Sequence, residues 1–195
     1  MIEFITHYYQ SVPFRSLSAL SRSEALKVME ELYEDNAFYD RFRDPTQYWD
    51  SRKETEKWLI EDLVSRGGQP TVEYPIYAVL GSSPWIENYS IHNKVAVEKI
   101  QMPISIFNEN DISFTIPDSM VSYWIARDKP VPLYNSAYHG KTFTLSEAKD
   151  WEFTELIELI ESTHPNGTIP YVEAQIWNHE VARNYILQGE KQDGP

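Results

Sequence analysis

The sequence predicts an α+β fold with a mostly antiparallel or mixed sheet, and three observations carry that expectation. Two strongly signalled helices stand early, several short β-patterned runs follow, and one more helix separates these from a last strand. Regular strand–helix–strand alternation, which would mark a parallel sheet, is missing. No internal repeat with a period of about 20 to 50 residues breaks the chain into units. At 195 residues, one domain over residues 1–187 is expected, with 188–195 as a disordered tail.

The elements follow in order. Ile2 to Tyr9 mixes β-formers with one histidine and reads as a first strand; Val12, Pro13 and Phe14 then lead into a serine-rich loop. Ser21 stands three residues before Glu24, the spacing of a capping box. Ala25, Leu26, Met29 and Leu32 follow at helical intervals, so a helix is expected near 21–34. Asp44 before Pro45 supplies an N-cap and a first-turn proline, and Gly67-Gly68 supplies the stop for a long charged helix near 45–66. Pro75 to Gly81 is short, apolar and β-branched or aromatic, which fits a strand buried on both faces at the centre of the sheet. Further strands are expected around Val95 and Val97, over Ile112 to Ile116, and over His139 to Leu145. Leu156, Ile157, Leu159 and Ile160 among glutamates predict a helix near 153–163. The last strand, Ile169 to Trp177, puts Val172, Ala174 and Ile176 on one face and Tyr171, Glu173, Gln175 and Trp177 on the other.

Composition removes several function classes. The chain is 42% hydrophobic and 14% aromatic, unlike the aromatic-poor chains that stay unfolded. It has no cysteine, which excludes disulfides, zinc ribbons and thiol nucleophiles. A net charge of -13 repels phosphate backbones and anionic lipid, so no nucleic-acid or membrane-surface partner is expected. From Ser146 onward ten acids face three bases, either as solvated helix faces or as a surface for a basic protein partner. No apolar run approaches the roughly 18 residues of a membrane span, and Met1 to Gln10 has no secretory pattern. A cytoplasmic location is expected on that basis.

Phosphate-loop, dinucleotide-fold, zincin, hydrolase-elbow and calcium-loop motifs are all missing. The five histidines never pair at ligand spacing, so no metal is expected. Glu173 is the most informative candidate: a carboxylate beside Tyr171, Gln175 and Trp177 is costly unless it has a partner or faces a cleft, where it could act as general base or charge stabiliser. His7 is the second, either as a satisfied, partly buried residue or as a ligand contact. The Leu80 to Trp85 segment, with Ser82, combines small residues and an aromatic at a strand end, and Ser113, Thr115, Asp118 and Ser119 cluster at another. Turns and caps account for both patterns equally well. Trp49, Trp58, Trp85, Trp124 and Trp177 read as core in preference to a stacking platform.

Phe4 to Tyr9, Pro13 to Leu20, Gly67 to Pro70, Pro75 to Trp85, Ile116 to Ser119 and Tyr138 to Lys141 together resemble an uncharacterised bacterial protein family that carries no assigned activity. A looser likeness is to the ADP-ribosyltransferase fold, which implies NAD as substrate. In that likeness His7 orients the nicotinamide ribose, Tyr77 or another tyrosine stacks on nicotinamide, and Glu173 polarises a ribose hydroxyl. Tyr8, Ser82 and Ser113 complete the expected contacts. The transferase pattern ends in glutamine or glutamate, any residue, then the catalytic glutamate, whereas this chain runs Glu173-Ala174-Gln175 in the reverse order. Two functions are therefore carried forward: an NAD-using ADP-ribosyltransferase-like enzyme, and a non-catalytic acidic interaction protein of the immunity or inhibitor type.

Overall fold

Antiparallel pairing sets the frame of the molecule. The computed structural model describes residues 3–33, 39–93, 96–127, 138–149 and 171–192. Five strands, β1 (Phe4–Tyr9), β2 (Ile76–Leu80), β3 (Glu98–Pro103), β4 (Ile112–Thr115) and β5 (Glu173–Ile176), form one sheet in the order β3-β1-β2-β5-β4. Every neighbouring pair is antiparallel. The run around Val79 is central, as its unbroken apolar character requires. Among the described residues, six helices pack around the sheet: α1 (Arg22–Leu32), α2 (Pro45–Ser65), α3 (Pro84–Asn93), α4 (Ser119–Ala126), α5 (Leu145–Lys149) and α6 (His179–Gln192). The fold is α+β.

Local chemistry explains the best-defined ends. Ser21 and Glu24 close a reciprocal capping box on α1, and the Asp44 side chain accepts from the Gln47 N–H ahead of Pro45 in the first turn of α2. After α2, Gly67 takes φ +89°, a left-handed conformation that a side chain would strain. The Gly68 N–H then reaches Leu63 O at 2.9 Å and the Gly67 N–H reaches Val64 O at 3.0 Å, which satisfies two orphan carbonyls.

The pairing register divides the residues between two faces. Ile5, Ala78, Leu80, Phe114, Ala174 and Ile176 point into one apolar core, closed by Leu145 and Ala148 of α5 and Ala182 of α6. The alternate positions, Thr6, Tyr77, Val79, Ser113, Thr115, Glu173 and Gln175, form a polar face over which α2 runs. Leu59 and Leu63 anchor the C-terminal half of α2 on Trp177, and Trp49 anchors its N-terminal half in a cluster with α1.

Several expectations need correction. Only Phe143 of the expected strand His139 to Leu145 pairs, in a single bridge to Phe114, before α5 begins at Leu145. Helices α3 and α4 were not expected: Pro84 occupies the first position of α3, and Asp118, read as turn chemistry, is the N-cap of α4. Strand β3 begins at Glu98, after Val97. Helix α6 runs to Gln192, past Gln188, where the tail was expected to begin. The helix expected near 153–163 lies outside the described residues.

Leu80 is 1% exposed in the central strand. Replacing it by alanine should cost about 2–5 kcal/mol, measured by urea denaturation. A loss under about 0.5 kcal/mol, too small for a buried leucine deletion, would contradict its place in the core.

Candidate functional site

Where the middle of α2 crosses the polar face, the helix and sheet do not close on each other. A cavity of about 570 Å³ lies between them, bordered also by α3, the start of α4 and the segment after β1. Its walls are aromatic and charged together: tyrosines 8, 48, 77 and 171, tryptophans 85 and 124, arginines 15, 41 and 52, and the carboxylates of Asp118 and Glu173.

The roof is held by a buried charge cluster on α2. Glu56 is 1% exposed and meets Arg52 at 3.3 Å and Lys53 at 3.1 Å, while the Ser18 hydroxyl also donates to it. Arg52 in turn donates to the Ser16 and Ser18 hydroxyls and lies 4.6 Å over the Tyr77 ring. A buried carboxylate without such partners would cost several kcal/mol. The cluster therefore joins the loop before α1, helix α2 and strand β2 in one place. The Tyr77 hydroxyl is pushed well above its ordinary value by burial and stays protonated.

Glu173 stands on the cavity floor, half-buried. Its Oε1 accepts from the Ser119 N–H at 3.2 Å and the Gln175 amide at 3.1 Å, and the Ser119 hydroxyl also donates to the carboxylate. Burial and then the Asp118 carboxylate push its pKa up to about 7. Asp118 is fixed by capping α4, where its Oδ1 accepts from the N–H groups of Met120 and Val121, both at 3.0 Å. Glu173 thus sits near half-ionisation at neutral pH and can take or give a proton.

A directed chain of hydrogen bonds sets the orientation of Glu173. The Trp177 indole N–H can only donate, and it donates to Ser113 Oγ at 2.8 Å. Ser113 donates to Gln175 Oε1 at 2.9 Å. That fixes the amide so that its Nε2 faces Thr115 Oγ1 at 2.9 Å and Glu173 Oε1. Gln175 and Ser113 are fully buried, so the chain is a rigid support beneath the carboxylate.

The residues expected from the sequence are only partly brought together. Glu173, Tyr8 and Tyr77 line the cavity; Ser82, Ser113 and His7 do not. Ser113 is instead a link in the support chain. His7 and Glu173 were expected to share a ribose site, and the structure puts them on opposite faces of the sheet. Thr6 pairs with Val79, which pairs with Glu173, so the neighbouring His7 points the other way. Both His7 nitrogens are occupied by backbone: Nδ1 donates to Tyr77 O at 2.8 Å, and Nε2 accepts from the Phe14 N–H at 2.9 Å. Burial lowers its pKa, which keeps the ring neutral in this role. Arginines 15, 41 and 52 were missed, while Asp118 and Gln175 were noted without a role in the site. The Arg52–Glu56 spacing of four on a helix was the available signal, though it reads equally as a surface pair.

Comparison with protein-family models, with curated proteins and with solved structures finds no match in any of the three. Among the described residues no cluster of three histidine or acidic side chains could hold a metal ion, and no helix is long and apolar enough to cross a membrane.

Because the folded pKa of Glu173 lies above its unfolded value, the stability that its protonated form contributes is complete at low pH and is lost as pH rises through about 7. Glu173→Gln should therefore stabilise the fold by about 1–3 kcal/mol above about pH 8 and by little near pH 5, read from denaturation at both pH values. Gln175→Met, which removes a donor to the carboxylate, should raise the Glu173 pKa further. Carbon-detected NMR titration of the glutamate side chains would register that shift.

Proposed function

We propose that the protein is an enzyme acting on a small molecule bound in the cavity between α2 and the sheet, with Glu173 as its general base or charge stabiliser. The observation that supports this most directly is a carboxyl group with a pKa of about 7 on the floor of a cavity large enough for a small organic ligand. Its surroundings suit that task. Asp118 raises its proton affinity, donors from Ser119 and Gln175 hold the carboxylate in place, and the residue lines the cavity where a ligand would lie. The aromatic walls would exclude water and stack on a ring.

Of the two functions carried forward, ADP-ribosyl transfer from NAD keeps Glu173 and Tyr77 in the cavity and loses His7, so ribose orientation would fall to another residue. Proton transfer or cation stabilisation by Glu173 is the part of that chemistry the site supports. A purely non-catalytic interaction protein draws on the charge of -13 alone, and gives no account of a protonatable carboxyl supported from below by four buried polar side chains.

Both roles of Glu173 need the ionised form, so turnover should rise as pH passes through about 7. Incubation of the protein with a fractionated small-metabolite extract, followed by mass spectrometry, should reveal a compound consumed by the wild type. Glu173→Gln should consume it at least about 100-fold more slowly while melting no lower than the wild type. Equal consumption by the two proteins, or none by the wild type across pH 6 to 8, would rule the reading out.

A further inference from the structure

Resting on the reading of the cavity as a substrate site, we propose that its substrate is a small organic anion, a phosphate ester or carboxylate, whose charged group is held by Arg15 and Arg41 of the cavity lining. The argument begins with charge. The chain carries -13, yet three of its eight arginines line this one cavity, and no lysine among the described residues does. Arginine is the residue suited to planar, bidentate recognition of phosphate and carboxylate.

The three arginines have different tasks. Arg52 is committed to Glu56 and to the two serine hydroxyls of the loop before α1, so its charge is largely offset within the roof. Arg41 lies 4.9 Å over the Phe42 ring, which orients the guanidinium beside the cavity. Arg15 is exposed and makes no ion pair among the described residues. Asp118 and Glu173 share the same lining, and Arg41 and these two acids all act electrostatically on Tyr171, so cationic and acidic groups meet across one set of aromatic walls. A ligand with an anionic head and a ring would place the head against the arginines and its reacting atom near Glu173.

The loop that carries Arg15 is built for this placement. Ser11 and Phe14 both adopt φ +60°, a left-handed conformation that costs a non-glycine residue of order 1 kcal/mol or more. Two contacts offset that strain. His7 Nε2 accepts the Phe14 N–H, and the His7 and Phe14 rings pack at 4.8 Å. Histidine 7 is therefore a positioning residue acting through the backbone, which explains why its ring is committed on the face away from the cavity. Strain held in this way, one residue before a cavity arginine, fixes where the guanidinium begins.

The test uses three probes of similar shape and different charge: phenyl phosphate, benzoate and phenol. Binding is followed by isothermal titration calorimetry and by the Nε–H resonances of the arginines. Phenyl phosphate or benzoate should bind at least about tenfold more tightly than phenol and shift the Arg15 and Arg41 resonances. Arg15→Gln should remove most of that difference; because Arg15 is exposed, the variant should fold normally. Arg41→Gln provides a second reading of the same loss. Glu173→Gln should leave anion binding in place, which separates this proposal from the catalytic one. A stronger response to phosphate than to benzoate would identify the head group as a phosphate ester, and the converse as a carboxylate. Anions that bind no better than phenol, or that bind equally well to Arg15→Gln and Arg41→Gln, would overturn the proposal even if Glu173-dependent turnover of an uncharged metabolite were found.

Discussion

The buried contact between Glu56 and Arg52 is the constraint on which the rest of the structure depends. Helix α2 is long, and its inward stripe changes character along its length: Trp49 at one end, Arg52, Thr55 and Glu56 in the middle, Leu59 and Leu63 at the other. An apolar middle would bring the helix down onto the sheet and fill the space with side chains. Charged groups there must keep their own partners, and they find them in Lys53, Ser16, Ser18 and the Tyr77 ring. The helix is thus pinned at both ends by apolar packing and spaced in the middle by a satisfied polar cluster. A lined cavity is the result.

The sequence expressed the fold best where backbone chemistry is local. Ser21 with Glu24, Asp44 with Pro45, and Gly67 with Gly68 each mark a helix end by a mechanism confined to a few residues, and each end is found where that mechanism puts it. The apolar run of β2 and the alternation of β5 were equally legible. Helices α3 and α4 were not. Helix α4 is buried on several sides and apolar nearly all round, so it has no stripe for a periodicity argument to find. Helix α3 has almost no amphipathic pattern, and α5 is a single turn or so after a lone bridge. Tertiary burial decides such segments, and a linear pattern does not encode it.

The site was legible in the same uneven way. Glu173 stood out because a carboxylate interrupts a strand, and it lines the cavity. His7 stood out for the same kind of reason, yet residue parity along β1 sends it to the opposite face, where backbone groups absorb both nitrogens. The arginines were obscured by the acidic composition around them. Their convergence depends on loops and on a short helical turn after α1, which no spacing in the sequence announces.

Strand β5 imposes one further condition on this chain. Its four residues serve two neighbours at once: Ala174 and Ile176 complete the apolar core, while Glu173 and Gln175 complete the cavity floor and its support. A shift of a single residue in its pairing would send carboxylate and amide into hydrocarbon and leave methyl groups under the cavity. Insertions and deletions of odd length within β5 are therefore closed to this architecture, and the strand can vary only by substitution. Any lineage that alters this chemistry must do so one face at a time, with the other face holding the alignment fixed.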